Sequence, residues 1–174
     1  NWGNNSKKSY STGFQLNKIK DNEVLKKNFD IANQLLNGFY SGDLKTSDVF
    51  DIDKLAKYFA IVELTNSQHS SEWHNMRFYF DPFLSKLIPI GFDGFESNAV
   101  KLVNLSIERG DFWRSKLFSD RKLVAMYYKN LRRVSEKSYL DNFFKKYKQE
   151  ISDNKKILYK SYPAYELNKD IFYL

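Results

Sequence analysis

The chain has 174 residues, 42% of them hydrophobic and 17% aromatic, which is enough apolar material for one folded domain and excludes a disordered tail. It contains no cysteine, so disulfides and thiolate metal sites are excluded. The net charge of +7 comes mostly from lysines spread along amphipathic stretches, with small clusters at Lys145, Lys146, Lys148 and at Lys155, Lys156; no nucleic-acid reader motif accompanies it, and nucleic acid is not an expected partner.

No apolar run approaches the roughly 20 residues that cross a bilayer, so no transmembrane segment is expected. In chain order, Asn1 to Ser11 reads as a polar loop or a severed connection. A first helix is predicted from about Asp21 to Asn37, capped by Asp21 or Asn22 and stopped by Gly38, with Val24, Leu25, Ala32, Leu35 and Leu36 on its apolar face. A second runs from about Asp51 to Thr65, where Ile52, Leu55, Ala56, Phe59 and Val62 recur at helical spacing and Asp51 or Asp53 favours the N-terminus.

The polar segment Asn66 to His74 leads into two aromatic and β-branched runs, Met76 to Phe80 and Lys86 to Phe92, around Asp81-Pro82-Phe83-Leu84-Ser85. That is a hairpin signature. Gly94 to Ser119 reads as a long functional loop or irregular connection. Two further helices are predicted at about Asp120 to Val134 and Ser138 to Asn154. The fold class is therefore α+β, mostly helical with one central β-hairpin.

The hairpin register can be argued from side-chain pairing, because a one-residue slip moves every side chain to the other face. Setting Met76 opposite Phe92, Phe78 opposite Ile90 and Phe80 opposite Ile88 gathers six apolar residues on one face. The slipped alternative pairs Met76 with Gly91, Phe78 with Pro89 and Phe80 with Leu87, a poorer set. The first register puts Asn75 directly opposite Asp93 at the open end of the hairpin, on the face of Arg77 and Tyr79. At the roughly 4.5–5.5 Å between opposed Cβ atoms, an amide oxygen and a carboxylate can hold one hard cation such as Mg²⁺. Asn and Asp at those positions also serve as ordinary turn and capping residues. Protein kinases hold the metals that bridge the ATP phosphates with such a pair.

The stretch Val49 to Gly94 carries a resemblance, over about a quarter of the chain. Phe50-Asp51-Ile52-Asp53-Lys54-Leu55-Ala56-Lys57-Tyr58-Phe59-Ala60 resembles the helix that precedes the catalytic segment in kinases of the spore-coat protein H (CotH) family. His74-Asn75-Met76-Arg77-Phe78-Tyr79 is similar to that family's His-Asn and aromatic strand. Lys86-Leu87-Ile88-Pro89-Ile90-Gly91-Phe92-Asp93 resembles its returning strand, which ends in a metal-binding aspartate.

The resemblance implies a protein-kinase-like C-lobe, with Asn75 and Asp93 as Mg²⁺ (or Mn²⁺) and ATP-binding residues. The implied activity is ATP-dependent phosphorylation of Ser/Thr hydroxyls, with a coat or cell-envelope protein as substrate or partner and a spore coat or envelope as its place. It also implies that the chain is one domain's C-lobe, a fragment inactive alone, whose nucleotide-clamping lobe precedes Asn1.

Two positions depart from the kinase pattern. Five residues before Asn75, where ordinary kinases carry the catalytic Asp, stands Ser70; the nearby groups able to take a proton are His69 and Glu72. No glycine-rich phosphate loop is present.

Two rival readings follow from the same residues. His69, Glu72 and His74 suggest a zinc hydrolase, although their H-x-x-E-x-H spacing matches no zinc-protease helix motif. A non-catalytic scaffold is the other, with Trp73, Phe112, Trp113, Tyr159, Tyr162, Tyr165 and Tyr173 as contact residues or simply as core. Glu96, Glu108 and Asp111 are possible additional ligands without a spacing argument.

Overall fold

The computed structural model describes residues 11–65, 67–94 and 112–167. Helix α1 (Leu16–Lys20) precedes α2 (Glu23–Ser41), whose N-cap is Asn22: its side-chain oxygen accepts from the amides of Val24 and Leu25, both at 3.0 Å. The helix runs through Gly38 and ends at Gly42, which adopts φ 96° and closes the last turn on the Gly38 carbonyl. Gly38 is required for another reason. A Cβ there would lie 2.7 Å from the Leu44 side chain, which folds back over the helix end. Of the apolar face expected for α2, Ala32 and Leu36 are buried and Leu35 packs on the core, whereas Val24 and Leu25 are exposed.

A short helix α3 (Thr46–Val49), not expected from the sequence, delivers Val49 and Phe50 into the core. Helix α4 (Ile52–Thr65) then buries Leu55, Ala56, Phe59, Ala60 and Val62. Asp51 caps it, accepting from the amide of Lys54 at 3.1 Å. A 3₁₀ turn (Gln68–Ser71) follows, and then the hairpin of β1 (Arg77–Asp81) and β2 (Lys86–Ile90).

After α5 (Phe112–Leu117) come α6 (Arg121–Val134), α7 (Lys137–Lys146) and α8 (Lys148–Leu158). The last two replace the single helix expected over Ser138 to Asn154; the break falls at Tyr147, which is C-cap to one and N-cap to the other. The expected loop of Gly94 to Ser119 therefore contains a helix, and its stretch 95–111 lies outside the described residues. So do the expected loop up to residue 10 and Tyr173.

The most extensive helix contact is between α4 and α6. It brings Leu123 and Tyr127 of α6 against Phe59 and Phe118, with ring centroids 5.0 and 5.2 Å apart across Phe118. Burial pushes the Tyr127 hydroxyl above its ordinary range, and its hydrogen bond to Glu63 (2.9 Å) and the charge of Glu63 add to the effect. The fold among the described residues is mostly helical with one two-stranded antiparallel hairpin, as expected for α+β. No described helix is long and apolar enough to cross a membrane.

The hairpin register corrects the expected one by a single residue. The ladder pairs Arg77 with Ile90, Phe78 with Pro89, Tyr79 with Ile88, Phe80 with Leu87 and Asp81 with Lys86. Two forces set it. The turn Pro82 to Ser85 is built around Asp81, whose carboxylate accepts from the amides of Phe83 (2.9 Å) and Leu84 (3.2 Å), with Ser85 in the left-handed region at φ 50°. Leu87 is also drawn inward by a parallel bridge to Phe50 and a 3.0 Å bond from the Asp51 amide to its carbonyl. Leu87 is thus a core residue and Ile90 is exposed.

Candidate functional site

Correcting the register moves the expected Asn75–Asp93 pair. Continued past the Arg77–Ile90 rung, it sets Asp93 level with His74, and Asn75 level with Phe92. The two side chains are not directly opposed across the ladder. Asn75 is buried, and its amide nitrogen donates to the carbonyl of His69 at 3.1 Å. Asp93 is half-exposed, and its Oδ2 lies 3.3 Å from Nε2 of His69. His69, anchored through its backbone by one residue and facing the other with its ring, is what joins them.

The turn that carries His69 is fixed unusually completely. Serine side chains bond back three residues, from Ser70 Oγ to the Ser67 carbonyl (2.6 Å) and from Ser71 Oγ to the Gln68 carbonyl (2.7 Å). The Tyr58 hydroxyl of α4 donates to the Ser70 carbonyl at 2.6 Å, and Arg114 of α5 donates through Nη2 to Ser71 Oγ at 2.8 Å. Trp73 and Trp113 stack on each other beneath this segment, centroids 3.6 Å apart and nearly parallel, and both pack against the core. These two tryptophans are packing residues. Tyr162 and Tyr165 are exposed.

Beyond His69, the surface carries Glu72 and His74. Glu72 Oε2 lies 3.9 Å from His69 Nδ1 and 3.5 Å from His74 Nε2, with the two imidazole centroids 5.9 Å apart. All three side chains are substantially exposed, so such pairs contribute little to stability. Among the described residues no group of three or more His, Cys, Asp or Glu side chains is placed to hold a metal ion, which leaves the zinc-hydrolase reading without support. Glu96, Glu108 and Asp111 lie outside the described residues.

Asp93 itself adopts φ 49°, a left-handed conformation that Asp tolerates better than most side chains. It turns the chain sharply after β2, and Gly94 follows close to Ser67, where a Cβ would sit 3.4 Å from the serine oxygen. Arg77 lies over the Phe92 ring at 4.5 Å, which ties the open end of the hairpin together.

A cavity of about 510 Å³ opens beside Asp93, between α4 and β2. Ile61, Val62, Ile88, Pro89 and Phe92 give it an apolar wall, Ser67, Ser70 and Asp93 a polar end, and Lys54 and Lys57 a basic rim. It is open to solvent on one side, a groove more than an enclosed pocket. The sequence did not expose this cavity, because it depends on which face of β2 turns outward.

Mg²⁺ is commonly held by one or two carboxylates together with substrate phosphates and water, not by a protein cage. The Asn75 bond to His69 uses the amide nitrogen, which leaves uncommitted by that bond the oxygen that a hard cation takes. Compared with protein-family models, with curated proteins and with solved structures, the chain matches none.

Proposed function

We propose that the chain is the catalytic-lobe part of a CotH-like atypical protein kinase, which transfers phosphate from Mg²⁺-ATP to Ser/Thr hydroxyls of a coat or envelope protein. The observation that carries the reading is the meeting of His69 with Asp93 at 3.3 Å beside the α4–β2 cavity, with Asn75 tied to the His69 backbone. His69, Asn75 and Asp93 thus lie close to one another, which supports the reading.

In this reading Asp93 and the Asn75 amide oxygen would hold the cation, whose charge would offset that of the phosphate oxygens. Lys54 and Lys57 at the cavity rim, paired also with Asp51 at the cap of α4 and with Asp53 within it, add positive potential. In this reading the His69 imidazole, which stands between Asp93 on its Nε2 side and Glu72 on its Nδ1 side, is the group that would take the proton of the attacking hydroxyl.

A non-catalytic scaffold is the second reading, and one observation favours it: Asn75 is buried and already serves the backbone of the turn. Calorimetric titration of the full-length protein with Mn²⁺-ATP, beside Asp93→Ala, separates the two. The kinase reading expects binding in the native protein, weakened about tenfold or more by Asp93→Ala, as for loss of one charged ligand. Folded native protein that binds no Mn²⁺-ATP leaves the scaffold.

A further inference from the structure

We propose that Tyr58 is a positioning residue for His69, acting from α4 through the backbone of the 3₁₀ turn. The inference deepens the proposed function, taking from it only that His69 facing Asp93 is the working pair.

Four consecutive carbonyls of the turn, those of Ser67, Gln68, His69 and Ser70, each accept a bond from a side chain. The serine bonds to the first two come from within the turn and move with it. The third comes from Asn75 at the foot of β1. Only the fourth ties a turn carbonyl to a separate helix: the Tyr58 hydroxyl reaches the carbonyl of Ser70, the residue next to His69, at 2.6 Å. Ser70 is buried, so its carbonyl has little access to water if the hydroxyl is removed. A buried acceptor without a donor is costly enough for the turn to shift in search of one. Because His69 is the adjacent residue and its ring, half-exposed, meets Asp93 at 3.3 Å, a small backbone shift changes what the imidazole faces.

Burial, the largest cause, pushes the Tyr58 hydroxyl above its ordinary range, while the Ser70 side chain and the charge of Arg114 draw it back. It therefore stays protonated, and a donor, across the neutral range. Tyr58 also lines the cavity that opens on Asp93, so the same side chain touches both the ligand space and the support of the candidate base.

The test is a coupling measured by NMR on the full-length protein, without nucleotide. Asp93→Asn changes the carboxylate beside His69 and shifts the His69 ring carbon–proton peaks; that shift is recorded in the native background and in Tyr58→Phe. If Tyr58 positions the ring, the response to Asp93→Asn falls by about half or more in Tyr58→Phe, as coupled sites require. Thr65→Val is the control for general loosening: it removes a hydroxyl that bonds Ile61 and Ser67 Oγ but no turn carbonyl, and the response should be retained. An unchanged response in folded Tyr58→Phe overturns the inference, and so does an equal loss in Thr65→Val. Because no nucleotide is used, failure of the kinase reading leaves this outcome readable on its own.

Discussion

Leu87 and Ile88 are neighbours of nearly equal size and apolarity, yet Leu87 is 2% exposed while Ile88 sits half-buried on the cavity wall. A bridge to Phe50 and a bond from the Asp51 amide hold Leu87 inside, and the alternation of β2 then sends Ile88 and Ile90 outward. Truncating Leu87 to Ala should therefore cost about 2–5 kcal/mol, the range for a large-to-small change in a packed core. Ile90→Ala, at a residue 45% exposed, should cost less than about 1 kcal/mol. Urea unfolding of the two variants reads this directly, and equal costs, or a larger one at Ile90, would restore the register expected from the sequence. That register failed for a definable reason. Both faces of β2 are apolar, Leu87 and Pro89 on one and Ile88 and Ile90 on the other, so counting apolar pairs cannot choose between them. The Asp81 turn and the Phe50 bridge decided, and the bridge joins residues far apart in sequence. His69, Asn75 and Asp93 were legible as candidates, but the way they meet was not.

At the level of elements, α2, α4, α6 and the hairpin were legible because each combines a clear apolar period with a cap or turn residue. The split of α7 from α8 was not, since Leu140, Phe143, Phe144, Tyr147 and Ile151 keep a helical spacing straight across the break. Helix α3 was missed because four residues carry no period. Besides a local bond from the Lys45 amide to Asp48, what fixes α3 is tertiary: Thr46 Oγ1 donates to the Leu117 carbonyl at 2.9 Å, and the amide of Ser47 donates to Asp120 Oδ2 at 2.8 Å. Asp120 also caps α6 by accepting from the Lys122 amide at 2.9 Å, so one carboxylate fastens α3 to the start of α6. Burial acts to raise its pKa, but the bonds from Ser47 and Lys122 outweigh it and hold the carboxyl below its ordinary value. A group depressed in this way contributes stability above the unfolded aspartate pKa of about 3.9, and loses it as pH falls through the lower folded value. Asp120→Ala should destabilise the protein by about 0.5–2 kcal/mol at neutral pH, the usual worth of an N-cap. The gap between variant and native protein should narrow as the pH is lowered below about 4. Urea midpoints measured down that range check it, and a gap independent of pH would remove Asp120 from this role.

Across the whole molecule, the core formed by α2, α4, α6 and the hairpin leaves one end of the hairpin open, and the candidate site lies there. Helix α8 contributes no buried residue, and Lys137, Lys145, Lys146, Lys148 and Lys156 of α7 and α8 are exposed, consistent with the charge being a solvated surface. The order of the periodic elements made the α+β class legible, and no described helix is long and apolar enough to cross a membrane. That order did not make legible the tethering of the His69 turn by α4 and α5, since Tyr58 and Arg114 are separated from it in sequence and look like ordinary helix residues. The central claim is that a nucleotide-borne cation sits at Asp93 and Asn75 beside His69. Paramagnetic broadening by Mn²⁺, added well below stoichiometry to the isotope-labelled full-length protein with ATP, tests it residue by residue. The account predicts that the His69 ring and Asn75 side-chain amide signals broaden first, while those of α7, packed on α6, stay sharp. Sharp His69 and Asn75 signals in the presence of both Mn²⁺ and ATP would contradict it.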